Sequence, residues 1–97
     1  MYTKTQILEK LKGKKTELLN RYPISELGIF GSYARGDYDK DSDIDILVDF
    51  SGKITGFEFI RLAHEFESLF ESKIDLVSRG GIKPQYLPYV EKSLIHV

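Results

Sequence analysis

Cysteine is absent from all 97 residues. That excludes disulfides, thiolate metal sites and a cysteine nucleophile, and it fits a cytoplasmic protein. A surplus of one charge is missing too. Fourteen basic residues against fifteen acidic ones leave a formal net charge of −1. A dedicated nucleic-acid binder needs a basic surplus for its phosphate contacts, so no direct nucleic-acid partner is expected. No apolar run approaches the ~18 residues of a membrane span, and the polar start Met1-Tyr2-Thr3-Lys4 does not read as a signal peptide. No membrane contact is expected. Repeats, low-complexity tracts and linkers are also lacking, and the length suits a single domain over residues 1–97. Apolar residues make up 41% of the chain, enough for one modest core and too many for a disordered chain.

Hydrophobic periodicity organises what is there. Thr3 and Gln6 form a potential capping box, opening a helix with Ile7, Leu8, Leu11, Leu18 and Leu19 on one face. Pro23 should end it near Tyr22. Glu26 to Phe30 reads as a short strand, and Gly31 to Arg35 as a strand-to-helix turn followed by an acidic loop. The clearest strand is Asp43 to Phe50, rich in β-branched and apolar residues. Phe59, Leu62, Ala63, Phe66 and Phe70 mark an amphipathic helix from about Phe57. Lys73 to Val77 is a third strand, and Ser78 to Lys83, with Gly80 and Gly81, is expected to be a mobile loop. Pro84 suits the first position of a last short helix, which Pro88 should interrupt. Ile95 to Val97 adds a stub of edge strand. The expected fold is α/β (α+β): a small mixed sheet of three to four strands, helices covering one side.

Two aspartates in the clearest strand carry the chemistry. Asp43 and Asp45 emerge on the same face about 6.6 Å apart, at ~3.3 Å per residue. Their oxygens suit a hard cation such as Mg²⁺, and two ions ~3.5–4 Å apart would fit the spacing. Alternating polar residues on a solvated strand face are the ordinary alternative. Against it, aspartate is disfavoured in strands, and Ile44, Ile46, Leu47 and Val48 describe a strand buried on both faces. Asp75, flanked by Ile74 and Leu76, is the candidate third carboxylate. If its strand lies beside the first, Asp75 can share a metal or accept a hydroxyl proton; alone, it would be read as an edge residue facing water. Gly31 and Ser32 open a turn whose backbone and hydroxyl can approach phosphates, although a tight turn with a capping serine is common.

The segments Gly31-Ser32-Tyr33-Ala34-Arg35-Gly36, Ser42-Asp43-Ile44-Asp45 and Ile74-Asp75-Leu76 together resemble the minimal nucleotidyltransferases of the DNA polymerase β superfold. The likeness runs from about Leu27 to the C-terminus. It implies that Asp43 and Asp45 hold Mg²⁺, that Asp75 completes the metal site and serves as base, and that Gly31 and Ser32 hold the phosphates of ATP. It further implies a partner, because short stand-alone members are commonly antitoxins of a HEPN ribonuclease toxin, which they adenylylate on a tyrosine. A binding module acting by occlusion, or a transferase for RNA or a small molecule with a partner subunit, are the alternatives.

Other residues tempt less. Arg35 can touch a phosphate or pair with Asp37, Asp39 or Asp41, acids that read as a solvated rim. Asp49 should face solvent and His64 the surface, His96 carries no signal, and Lys10, Lys12, Lys14 and Lys15 form a basic stripe.

Overall fold

The computed structural model describes residues 2–97. The chain runs α1 (Lys4–Arg21), β1 (Ile24–Phe30), α2 (Gly31–Arg35), β2 (Ile44–Phe50), α3 (Gly56–Phe70), β3 (Ile74–Ser78), α4 (Leu87–Ser93) and β4 (Ile95–His96). A 3-10 turn at Arg79–Gly81 follows β3. Both long helices begin with reciprocal capping boxes, Thr3 with Gln6 and Thr55 with Glu58. Each box satisfies amides that the first helical turn leaves without partners. The second box starts α3 one residue ahead of the expected Phe57. Tyr22 caps α1 in extended conformation just before Pro23, as the proline demands.

The four strands lie in the order β3-β2-β1-β4. β1 pairs antiparallel with both β2 and β4, and β2 pairs parallel with β3. A parallel pair needs a crossover, and α3 supplies it. One face of the sheet packs Leu27, Ile29, Ile44, Ile46 and Val48 against Ile7, Leu11 and Leu18 of α1 and Leu62, Phe66 and Phe70 of α3. Fully burying each such side chain stabilises by about 1.5–3 kcal/mol. The uninterrupted apolar run in β2 follows from its central place: Leu47, on the other face, is also fully buried.

The expectation that helices cover only one side is not met. α4 crosses the second face, where Leu94 Cδ1 and the Ile95 carbonyl stand 3.0 and 2.7 Å from where a Gly28 side chain would begin. A glycine in β1 therefore makes room for the C-terminal segment. Pro88 does not interrupt α4 either. It sits in the first helical turn, where a missing amide costs nothing. The expected loop after β3 is pinned rather than slack. The Arg79 guanidinium donates to both Glu26 oxygens (2.6 and 2.7 Å) and to Glu91 (2.5 Å), while the His96 ring meets Glu26 at 2.6 Å. These contacts join β1, the 3-10 turn, α4 and β4.

Candidate functional site

Strand register decides which carboxylates meet. Asp45 lies directly beside Asp75 in the parallel β2–β3 ladder, and across from Phe30 in the antiparallel β1–β2 ladder. Side chains in register share a face, so Asp45 and Asp75 emerge together on the face opposite the α1–α3 core. Asp43, two residues before Asp45, precedes the strand by one position. Its carboxylate stands 3.9 Å from the Lys73 ammonium. Asp75 is thus on the near side of the sheet, as the resemblance requires.

The end of β1 brings the turn to the carboxylates. Gly31 adopts φ +74, a left-handed conformation that costs an ordinary residue ~1–2 kcal/mol. It also presses on Asp45: a side chain at position 31 would overlap Asp45 Oδ2 and begin 2.9 Å from its Cγ. No residue but glycine fits this turn. α2 then ends after five residues at Gly36, φ 92, a left-handed cap. The Tyr33 ring stacks on Tyr38 with centroids 4.3 Å apart, tying the acidic loop to the helix. In that loop Asp39 accepts from the Asp41 amide at 2.8 Å, and the Asp39 amide donates to the Ser42 hydroxyl at 2.9 Å. Asp37 pairs with Arg35 at 3.2 Å. The rim acids are exposed, as expected, and Asp39 in addition shapes the loop. Arg35 pairs with Asp37, one of its two expected roles, and also lines the cavity.

That cavity, about 370 Å³, is lined by Phe30, Gly31, Ser32, Arg35, Asp45, Asp75, Tyr89 and Ser93. Three of these had no site role in the sequence reading: Phe30, at the end of β1, and, further along the chain, Tyr89 and Ser93. Ser93 Oγ accepts the Gly31 amide proton at 3.1 Å, and the Tyr89 ring is 73% exposed at the cavity edge. Both belong to α4, which roofs the turn. Neither residue has a pattern of its own; only the crossing of α4 over the second face brings them in. A larger depression of about 550 Å³ lies along β1, lined by Glu26, Arg79 and His96 among others. Glu26, Arg79 and His96 there already pair with one another, and the three candidate aspartates are not part of it.

Electrostatics mark Asp45 as the strained group. Burial, reinforced by the Asp75 and Asp43 charges, pushes its carboxyl up to about 6, with Arg35 pulling the other way. Three carboxylates crowding one half-buried position suit a divalent cation, and an all-oxygen donor set suits Mg²⁺ rather than zinc. Among the described residues, no three Asp, Glu, His or Cys side chains are yet drawn into a finished metal cage. Asp43, which leads into the strand and faces Lys73, is the outlying member. His64 is a surface residue 3.8 Å from Glu67, as expected. The basic stripe of α1 is partly structural, since Lys10 donates to the Leu69 carbonyl and Lys15 to that of Val97.

Comparison with known proteins agrees with this geometry. The nucleotidyltransferase domain family matches residues 11–96. The protein adenylyltransferase MntA of Thermococcus cleftensis is 37% identical over 97 residues, covering 100% of this chain and 98% of that one. A solved structure provisionally assigned as a minimal nucleotidyltransferase superposes with a TM-score of 0.84 at 27% identity, covering 99% of this chain and 97% of its own. The fold recurs at 22% identity in a complex of a tri-AMPylated Shewanella oneidensis HEPN toxin with an MNT antitoxin. There the TM-score is 0.62, over 96% of this chain and 66% of that one. With its aspartate pair, its third carboxylate in register and its glycine-serine turn, the chain belongs to the nucleotidyltransferase domain family, as a minimal nucleotidyltransferase of the MntA kind.

Proposed function

We propose that the chain transfers AMP from ATP to a protein hydroxyl, a tyrosine of a HEPN-type toxin, and so acts as its antitoxin. The observation that carries this reading is the Asp45–Asp75 register beneath the Gly31–Ser32 turn. Gly31 and Ser32 receive the β- and γ-phosphates, with Arg35 balancing their charge. Asp43, Asp45 and Asp75 would hold Mg²⁺, which when bound neutralises phosphate charge and polarises the α-phosphate. Asp75 takes the proton of the incoming hydroxyl as its oxygen bonds to the α-phosphorus. The α–β bridging bond breaks in line, and diphosphate leaves. The chain's contribution is positioning and charge placement, sufficient for a phosphoryl-type transfer.

Incubation with Mg²⁺-ATP and a HEPN-type partner, followed by intact-mass analysis, tests the proposal. The expected result is an AMP-sized increment on the partner; a folded protein that adds none defeats it. A reading by occlusion alone draws on the unfinished cage. An Asp43→Asn, Asp45→Asn double variant would then protect as well as the parent, whereas loss of protection with the complex intact rules occlusion out.

A further inference from the structure

One carboxylate of the site opens onto two cavities. Asp75 and Phe30 line the chamber beneath Gly31 and Ser32, and both also line a second groove of about 460 Å³. This groove follows β3 from Asp75 to Ser78, with Phe59 on one side and Ile82 and Tyr86 on the other. Its surface is mostly apolar, and Tyr86 is 58% exposed there. The first chamber has the glycine-serine turn and Arg35; the groove has neither.

β3 is an edge strand. The Ile44 amide donates to the Lys73 carbonyl at 3.1 Å, which fixes the phase of the parallel ladder. By alternation Asp75 and Val77 turn their backbone groups toward β2, and Ile74, Leu76 and Ser78 turn theirs to the open edge. Among the described residues, a row of free amides and carbonyls thus runs along an apolar groove that ends at the carboxylate proposed to take the acceptor's proton. Such an edge pairs with an extended chain.

We infer that the β3-edge groove seats an extended segment of the acceptor protein, which adds as a strand to β3 and delivers its hydroxyl to Asp75. The inference rests on the transferase reading above and names where its acceptor docks. In-line displacement requires the nucleophile opposite the leaving diphosphate. The chamber that holds the turn opens on one side of Asp75, so the hydroxyl arrives from the other, along β3. An RNA acceptor is the poorer occupant, because among the described residues Lys83 is the one cation lining the groove and Asp75 stands at its end. A helical segment cannot satisfy the free edge.

The test uses single-tyrosine nonapeptides with alternating apolar residues, a helix-stapled version of each, and an RNA oligonucleotide. AMP transfer is measured beside the slow hydrolysis of ATP by water. Two variants probe the groove without touching the site. Ser78→Pro deletes one outward amide in an extended residue, and Ile82→Glu charges the apolar wall. We expect transfer to the extended peptides only. Ser78→Pro should raise the peptide KM several-fold, the worth of one hydrogen bond. Ile82→Glu should raise it about ten-fold or more, with hydrolysis of ATP within about two-fold of the parent. Equal modification of stapled peptides or RNA, or groove variants that leave the peptide KM unchanged, overturns the inference. So does hydrolysis of ATP with no peptide modified. A protein that binds and hydrolyses no ATP at all defeats the transferase reading instead.

Discussion

Gly31→Ala offers the sharpest test of how turn and carboxylate are built together. Two separate costs attach to one methyl group. The left-handed φ of +74 disfavours any L side chain by roughly 1–2 kcal/mol. The second cost is steric: the new Cβ would invade Asp45 Oδ2 and stand 2.9 Å from Cγ. Forcing a methyl into a packed position typically costs about 1–3 kcal/mol, so the sum is about 2–5 kcal/mol. In a domain of this size each kcal/mol moves Tm by roughly 4–8 °C. Truncation to Asp45→Ala removes Oδ2 and Cγ and leaves Cβ at 3.3 Å, tight but tolerable. In that background Gly31→Ala should cost only the backbone part. Equilibrium urea unfolding of the parent, both single variants and the double variant closes the cycle, with an expected coupling of about 1–3 kcal/mol. If the two changes add independently, Gly31 is not glycine because of Asp45, and the site's close packing has been misread.

Asp45→Asn should raise stability in metal-free buffer at pH 7.5 while abolishing transfer. The parent carboxyl, near 6 when folded, is ionised there at a cost the amide avoids. Thermal melts should show the gain shrinking as pH falls through 6 and the parent protonates; a gain equally large at pH 4.5 would refute the cause. Glu26 runs oppositely, since Arg79 and His96 hold it down to about 2. Its contribution is complete above the unfolded value of 4.5 and lost as pH falls toward 2. The ceiling is about 3 kcal/mol, reduced by solvent at the exposed His96, and Glu26→Gln should flatten that acid limb of the stability curve. Arg79→Met should destabilise by about 2–4 kcal/mol by leaving Glu26 with His96 as its remaining partner, and pairing it with Glu26→Gln should recover much of the loss in denaturant titrations.

Local chemistry made much of this molecule readable from its residues. The Thr3–Gln6 box, the stop at Pro23, the strand that Asp43 leads into and the glycine turn each depend on neighbours within a few positions. The Asp45–Asp75 pairing was conditional on two strands lying side by side, and they do. What stayed hidden depends on distant partners. Arg79 meets Glu26 across 53 positions and His96 meets it across 70, so neither residue carries a local signature. Pro88 departs from its expected role because a proline breaks a helix interior but suits its first turn. Ser93 and Tyr89 became visible only once α4 was placed over the second face.

Gly28 carries a consequence for the opposite end of the chain. The Ile95 carbonyl and Leu94 lie in a slot that has no space for a single carbon more. Widening that slot from below, as Gly28→Ala would, lifts the C-terminal strand, and with it the helix whose serine is latched to the turn. A methyl group beneath the tail would then disturb the turn proposed to hold the phosphates, from a position that does not line it.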